Sequence, residues 1–322
     1  MTDMHRLSAR APARECADQV LIAPPTSGPL FSVLTPAYNA SKYINELLNS
    51  VAAQDYARFE HVVIDDGSTD DTADILRVNA VVNPHLRWYS RPNKGQYATQ
   101  NELLLKAKGD VISIICADDM YATKRALSLV AEQFAASPDL DVVFGRTPRL
   151  CPYTFDPDLP RWLARPLVRH TLCIQHCSLF VRREFLERNE LYFDISYRMR
   201  GDWDWIIRVF DKTDRVKSIP NSLAYWRYHP KQTSVLERTE GTEESRRLCA
   251  AYGIDFRLHR FCAFASQAYA QSIHILVLLR LLGLNATIRK LSRSLRSQMY
   301  LSAGRPASPP KRTRPSNDPT HE

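Results

Sequence analysis

Four short apolar segments recur in the first 120 residues, and each one runs into polar or acidic residues. They are rich in β-branched and aromatic side chains and are too short for fully buried helices. Segments of this kind are typical of strands in a sheet that is covered on both faces. The predicted strands are Phe31–Pro36, Glu60–Ile64, Leu86–Tyr89 and Val111–Cys116.

The segments between these strands have the spacing of helices. After Ser41, apolar residues recur at i, i+3, i+4 and i+7, which predicts an amphipathic helix with Ser41 as its N-cap. Ser68 followed by Asp71 predicts the start of a second helix. Further helices are predicted at about Tyr97–Lys106 and Thr123–Phe134. The alternation predicts an α/β fold with a mainly parallel central sheet flanked by helices.

Polar residues follow all four predicted strands, and parallel strands end at the same edge of a sheet. We therefore expect these residues to converge in one crevice. For the Asp118-Asp119 pair taken alone, a solvated turn is the alternative interpretation. An acidic crevice with a nearby lysine suits a metal ion that bridges to a diphosphate. The expected members are Tyr38, Asn39, Asp65, Asp66, Lys94, Asp118 and Asp119.

Two common phosphate-binding classes are disfavoured by the sequence. The first strand is not followed by G-x-G-x-x-G, and the chain has no P-loop lysine. The crevice is therefore not expected to bind a dinucleotide or to act as a P-loop NTPase.

Composition is ordinary for a globular protein of one large or two modest domains. The 322 residues are 44% hydrophobic and 24% charged. Seven cysteines without a C-x-x-C pair predict free thiols in a reducing compartment. Residues 1–28 lack an apolar signal core and are predicted to be a disordered leader. No apolar run reaches spanning length, so the expected location is cytoplasmic.

The net charge of +8 is concentrated near the C-terminus, because Arg280–Arg314 contains no acid. Residues 237–302 are predicted to form a helical extension, and 303–322 a disordered basic tail. A basic amphipathic helix around Ile288–Arg296 either lies on an anionic membrane surface, at the inner face, or packs on the domain. Nucleic acid is not an expected partner, since Tyr300 is the only aromatic residue from Ile275 onward.

The order of short motifs in the first half of the chain resembles family 2 glycosyltransferases with the GT-A fold. The resemblance covers about 100 residues, and its pieces occur in the family's order. Cys116 stands where the first acid of the family's D-x-D element is usual. The motifs are Thr35–Asn39 (TPAYN), Val63–Ser68 (VIDDGS), Gly95-Gln96 with Asn101, Ala107–Asp110 (AKGD) and Cys116–Asp119 (CADD).

The resemblance implies a donor site for a UDP-, GDP- or dTDP-sugar. The nucleobase pocket would be lined by Thr35, Pro36 and Tyr38, with Asp65 accepting a hydrogen bond from the base. Lys94 and its loop would lie near the phosphates. Asp118 would contact the ribose and the metal shell, and Asp119 would ligate Mn²⁺ or Mg²⁺. Asn39, Asp66 and Gly95 complete the implied nucleotide-sugar-binding set.

The resemblance also implies an acceptor side. Asp202, in a segment like the family's (E)D-x-D-x-W-x-x-R, would be the catalytic base, although Gly201 replaces the usual Glu. The alternative for Asp202 is an N-cap residue that complements the helix dipole. The supporting residues implied are His176, Asp204, Arg208 and Arg227, with His229 near the diphosphate or in the metal shell.

These expectations combine into one hypothesis with one rival. Residues 29–236 would form the glycosyltransferase domain, with 29–122 as the nucleotide-binding half and 123–236 as the acceptor half. It would be an inverting, hexosyltransferase-type enzyme that acts on a glycan or lipid-linked acceptor in surface polysaccharide, O-antigen or capsule synthesis. The rival is a catalytically silent nucleotide-sugar-binding or scaffold protein of the same fold. A pure binder has no need of the distant Asp202, which favours the enzyme.

Overall fold

The computed structural model describes residues 28–150, 155–156, 167–229, 232 and 238–265. The predicted leader up to residue 27, the predicted tail at 303–322 and the basic helix around Ile288–Arg296 lie outside these residues. Among the helices that are described, none has the length and apolar character needed to cross a membrane.

Strands and helices alternate through the first half of the chain, as predicted. The strands are β1 (Phe31–Ala37), β2 (Phe59–Asp65), β3 (Leu86–Ser90), β4 (Val111–Ile114), β5 (Met120–Tyr121), β6 (Val142–Arg146), β7 (Arg149–Leu150), β8 (Phe155–Asp156), β9 (Leu179–Arg182), β10 (Val216–Ser222) and β11 (Ala224–Arg227). The helices are α1 (Ile44–Ala52), α2 (Thr72–Val82), α3 (Gln96–Lys106), α4 (Ala126–Ala136), α5 (Arg183–Arg188), α6 (Gly201–Lys212), α7 (Arg238–Ala251) and α8 (256–265).

The main sheet has seven strands in the order β10-β6-β9-β4-β1-β2-β3. β1 lies between β2 and β4 and pairs with both in parallel, with Phe31 opposite Phe59 and Val111. The β2–β3 and β6–β10 pairs are also parallel. The carboxyl ends of β1 to β4 therefore meet at one edge, which confirms the predicted parallel sheet. β9 is antiparallel to both β4 and β6.

The buried face of α1 agrees with the predicted helical spacing, since Ile44, Leu47, Leu48 and Val51 are all buried. The two predicted caps are wrong. The N-cap of α1 is Tyr43, without a side-chain cap, while the backbone N–H of Ser41 donates to Asp70 at 3.1 Å. The Ser68 hydroxyl accepts the backbone N–H of Asn39 at 2.9 Å and does not cap α2. Both side chains are used between loops, which local spacing cannot reveal.

A smaller sheet, in the order β5-β11-β7-β8, lies next to the carboxyl end of β4. β5 directly follows the Asp118-Asp119 pair, and its pairing with β11 sets Ala224 opposite Tyr121 and Tyr225 opposite Met120. This pairing brings the chain beyond Trp226 back over the acidic loop of β4.

Helices α6 and α7 belong to the same packed core as the sheet. Trp203 and Trp205 of α6 are buried with Leu248 and Cys249 of α7 in one apolar cluster that also contains Leu34 of β1. The two indole N–H groups are satisfied by backbone carbonyls of Val168 at 2.8 Å and Leu191 at 2.7 Å. The described part of the predicted helical extension is therefore helical and packs directly on the domain.

Candidate active site

The loop after β1 is tied to the loop after β2 by Asn39. This residue adopts a left-handed φ of 48°, and its side-chain oxygen accepts the backbone N–H of Thr69 at 2.8 Å. Tyr38, next to it, is 53% exposed and presents its ring to solvent. Thr35 and Pro36 are buried, and the Thr35 hydroxyl lies 3.0 Å from Nε2 of His61. Of this motif, the side chains at the crevice surface are therefore Tyr38 and Asn39.

Asp65 and Asp66, at the end of β2, are buried and hydrogen-bonded in different directions. Asp65 accepts the backbone N–H of Ser68 at 3.1 Å and the hydroxyl of Ser90 at 2.7 Å. Asp66 accepts the backbone N–H groups of Lys94 at 2.9 Å and Gly95 at 3.0 Å. Asp66 thus holds the loop after β3 against the loop after β2.

Arg91 supplies the positive charge that offsets Asp66. Its guanidinium pairs with the Asp66 carboxylate and, through Nε, with Glu102 at 2.8 Å. Hydrogen bonds to these two acids raise the pKa of Arg91, although burial acts in the opposite direction. The Lys94 side chain is 60% exposed, with Nζ 3.8 Å from Glu102. Lys94 is therefore the cation on this side that an anionic ligand can reach.

The loop after β4 carries a cluster of possible metal ligands. One ligand atom each of Cys116, Asp118 and Asp119 lies within 4.8 Å of the others. Burial, followed by the charge of Asp118, raises the pKa of Asp119 well above its usual range, while the backbone N–H of Arg227 lowers it. A divalent cation would relieve this accumulated negative charge, and carboxylate oxygens are ligands that Mn²⁺ and Mg²⁺ accept. The donor set therefore fits the implied metal.

The chain at the end of β11 closes over this cluster. The backbone N–H of Arg227 donates to Asp119 at 2.9 Å, and its Nε donates to the carbonyl of Asp118 at 2.8 Å. The same guanidinium reaches Glu46 of α1 at 2.6 Å. His229 Nε2 lies 3.1 Å from the Asp118 carboxylate. The structure thus brings Arg227, at the end of β11, and His229, two residues after it, to the acidic loop.

Asp202 lies on the first turn of α6 with its side chain 14% exposed. Its Oδ1 accepts the hydroxyl of Tyr97 at 3.4 Å and the backbone N–H of Trp203 at 2.8 Å. Tyr97 can approach because the neighbouring residue is Gly201, where an added Cβ would lie 2.7 Å from the Tyr97 ring. The absence of a side chain at Gly201 therefore has a steric reason.

His176 lies between the β4 loop and Asp202. Its Nε2 is 3.3 Å from the Cys116 thiol, and its Nδ1 is 3.9 Å from Oδ2 of Asp202. Burial lowers the pKa of His176, although the charges of Asp202 and Asp118 act in the opposite direction. The imidazole therefore lies between the two groups of carboxylates, and its Nδ1 is too far from Asp202 for a hydrogen bond.

Asp204 and Arg208 lie on a different face of α6 from Asp202, since residues two apart on a helix do not share a face. Asp204 accepts Arg208 Nε at 2.8 Å and the hydroxyl of Tyr252 at 2.7 Å. Arg208 also donates to the carbonyl of Tyr192 at 2.7 Å. These two residues therefore support α6 through contacts that do not include Asp202.

Several contacts at this site were missed from the sequence. Tyr97, Arg91 and Glu46 contact predicted site residues, but none of them stands out in the local pattern. The one signal in the sequence was Gly201 in place of the family's usual Glu, and in the structure the Tyr97 ring lies where a side chain at Gly201 would be.

Comparison with known proteins agrees with this arrangement. The family model described as Glycosyl transferase family 2 matches residues 32–199, just over half of the chain. An uncharacterized glycosyltransferase of Nostoc sp. is 28% identical over 209 residues, covering 62% of this chain and 64% of the relative. The O-antigen biosynthesis protein RfbC of Myxococcus xanthus is 30% identical over 244 residues, covering 73% of this chain and 18% of RfbC. The chain thus spans less than two thirds of either relative.

The mannosyltransferase PcManGT from Pyrobaculum calidifontis, solved in complex with GDP-Man and Mn2+, has a similar fold. It superposes with a TM-score of 0.58 at 19% identity, covering 86% of this chain and 82% of PcManGT. At this identity the likeness establishes the fold and not the ligand. With the motifs at the edge of the parallel sheet and a family match over half of its length, the chain belongs to glycosyl transferase family 2 and has the GT-A fold.

Proposed function

We propose that this chain is an inverting glycosyltransferase that moves a hexosyl group from a nucleoside-diphosphate sugar to an acceptor hydroxyl. The observation that carries the proposal is that the Asp118-Asp119 loop and Asp202 lie on opposite sides of the His176 ring, with Nε2 3.3 Å from the Cys116 thiol and Nδ1 3.9 Å from Oδ2 of Asp202. Inversion needs a site for the leaving diphosphate and a base on the opposite side of the sugar. The acid pair of the β4 loop and Asp202 are two separate groups of carboxylates, which suits these two roles.

On the donor side, Asp118 and Asp119 would hold Mn²⁺ or Mg²⁺, with His229 beside Asp118. When bound, the cation would neutralise charge on the leaving diphosphate. The exposed ring of Tyr38 offers a face for the nucleobase, and Lys94 offers a cation for the phosphates. Arg227 holds the β4 loop in place through the Asp118 carbonyl.

On the acceptor side, Asp202 would take the proton from the attacking hydroxyl. Tyr97 and the N–H of Trp203 both donate to Oδ1, which orients the carboxylate. Oδ2 faces His176, and the partly exposed side chain can be reached by an acceptor. A positioned general base of this kind contributes about 10²–10⁴-fold to a rate.

The biological setting proposed is surface polysaccharide, O-antigen or capsule synthesis, with a glycan or lipid-linked acceptor. It is supported by the name of the RfbC relative and by the family. A cytoplasmic location, with contact to the inner face of the membrane, is proposed together with this setting.

Thermal unfolding with UDP, GDP, dTDP and CDP, each with and without Mn²⁺, tests the donor site. A ligand that binds only the folded protein at 100 times its Kd stabilises it by about 2.7 kcal/mol. We expect one nucleotide to raise the melting temperature in a metal-dependent way, and Asp119→Ala to abolish the shift. Asp139→Asn, on an exposed loop, is the control. A flat panel with folded protein would contradict the donor site.

Turnover by Asp202→Asn separates the enzyme from the silent binding protein. We expect a loss of about 10²-fold or more in transfer, with nucleotide affinity retained. Asp211→Asn is the matched control, because Asp211 is on the same helix and pairs with Arg169 away from the cluster. Nucleotide binding without any transfer in the wild type would favour the silent binder.

A further inference from the structure

Glu244 of α7 contacts the backbone just before the helix that carries Asp202. Its carboxylate accepts three consecutive backbone N–H groups, those of Arg198 at 2.6 Å, Met199 at 2.9 Å and Arg200 at 2.9 Å. Glu244 is 9% exposed, so these bonds are shielded from water. Hydrogen bonds to a charged acceptor are about twice as strong as neutral ones. One side chain therefore fixes the backbone that leads into α6.

The Glu244 carboxylate also lies at the start of α6, where backbone N–H groups need a hydrogen-bond acceptor. The first N–H groups of a helix lack partners within the helix, and a negative charge near them is stabilised by the helix dipole. The N-cap of α6 is Arg200, whose own side chain makes no capping hydrogen bond. Glu244, 44 residues further along the chain, accepts the N–H of Arg200 and adds its charge to those of Asp202 and Asp204 in the first turn.

Other residues of α7 keep Glu244 in register with this loop. Arg200 Nε donates to the Gly241 carbonyl at 3.2 Å and to the Ser245 hydroxyl at 3.0 Å. A Cβ at Gly241 would lie 3.2 Å from both the Arg200 guanidinium and the Met199 methyl group, so glycine allows the close approach. Arg247 donates to the carbonyl of Ser196 at 2.9 Å.

We propose that Glu244 is a positioning residue for Asp202, so that α7 is part of the acceptor side of the site. The inference rests on the proposed role of Asp202 as the base. Asp202 lies two residues after the last N–H that Glu244 holds, and from that backbone position its carboxylate accepts the Tyr97 hydroxyl. The matched family region ends at residue 199, so neither Asp202 nor Glu244 lies within it.

Glu244→Gln tests the inference with little change in shape. Glutamine keeps one acceptor oxygen but turns an NH₂ group toward a backbone N–H, so the three bonds cannot all form. Glu243→Gln is the matched control, because Glu243 is 74% exposed and its partner Arg246 is on the same helix. Hydrogen exchange should rise in the segment from Ser196 to Trp205 in Glu244→Gln and stay unchanged in the control.

Turnover is measured as the release of UDP or GDP from UDP-glucose, UDP-N-acetylglucosamine or GDP-mannose, each with Mn²⁺ and with water as the acceptor. We expect Glu244→Gln to lower kcat by about 10- to 100-fold while nucleotide Kd stays within about twofold, because misplacement of a reacting group by about 1 Å has effects of this size. In the Asp202→Asn background the same change should cost nothing further, since both changes act on one group.

Three results decide the inference. An unchanged kcat per folded molecule, or the same fold loss with and without Asp202, would overturn the positioning role while leaving the proposed function intact. Near-full activity of Asp202→Asn would instead overturn the base assignment, whatever Glu244 does. If Glu244→Gln does not fold, Glu244→Asp is used under the same criteria, because it keeps the charge but is one methylene shorter.

Discussion

Gly201 is a position near the candidate base at which one added methyl group should destabilise the fold. An added Cβ would lie 2.7 Å from Cε2, 2.8 Å from Cδ2 and 2.9 Å from Cζ of Tyr97. The ring has little room to move, because Tyr97 is 4% exposed and stacks on Phe193 with ring centroids 5.7 Å apart. Gly201→Ala should therefore displace the Tyr97 ring and weaken its bond to Asp202.

Two opposing contributions set the change in the free energy of unfolding that we expect for Gly201→Ala. Overpacking a buried site typically costs about 1–3 kcal/mol, and with three ring carbons too close at once we expect about 2–3 kcal/mol. Alanine is favoured over glycine in a helix by about 1 kcal/mol or less. The net expectation is a loss of about 1–2 kcal/mol in the free energy of unfolding.

Urea unfolding of the wild type, Gly201→Ala, Tyr97→Leu and the double variant measures this loss. Leucine at position 97 lacks the ring atoms that obstruct the Cβ, so the double variant should be no less stable than Tyr97→Leu alone. If Gly201→Ala is as stable as the wild type, or loses the same amount in both backgrounds, then the ring is not the obstacle and the reasoning is refuted.

Three further predictions concern titratable side chains that are buried or partly buried. Burial lowers the pKa of His61 to about 3, so the stability that neutral His61 allows is present above the unfolded pKa of 6.5 and is lost as the pH falls toward 3. Between about pH 7 and pH 5, the free energy of unfolding of the wild type should fall by about 2 kcal/mol more than that of His61→Gln. Equal losses would contradict this prediction. Arg91→Met leaves Asp66 buried without its cation and should lower the free energy of unfolding in urea by about 3 kcal/mol. The control Arg77→Met removes an exposed ion pair and should cost less than about 0.5 kcal/mol. Similar losses in the two variants would argue against a buried pair at Arg91. Burial and nearby carboxylates raise the pKa of the half-buried Cys116 thiol well above its usual range. Alkylation by iodoacetamide at neutral pH, followed by mass spectrometry, should therefore be at least about tenfold slower than for glutathione, and an equal rate would contradict the raised pKa.

The contacts around the β4 loop show where sequence reasoning reached its limit. The predicted strand and its acid pair are present, and the motif order indicated the family. The hydrogen bond from the Arg227 side chain to the Asp118 carbonyl was not predictable, because the two residues are 109 positions apart in the chain. The proposed roles of Asp202, Asp118 and Asp119 remain predictions for the experiments above.

The sequence alone determined the first four strands, the helices between them and the edge of the sheet at which the motifs meet. Strand and helix periods are local, so apolar spacing revealed α1 and the four parallel strands, and parallel pairing then assigned their loops to one edge. Only the tertiary structure decided that β9 inserts antiparallel between β4 and β6, that Asp204 contacts Tyr252, and that Glu244 holds the start of α6. These outcomes depend on which distant segments pack together, and packing joins residues that no local pattern connects.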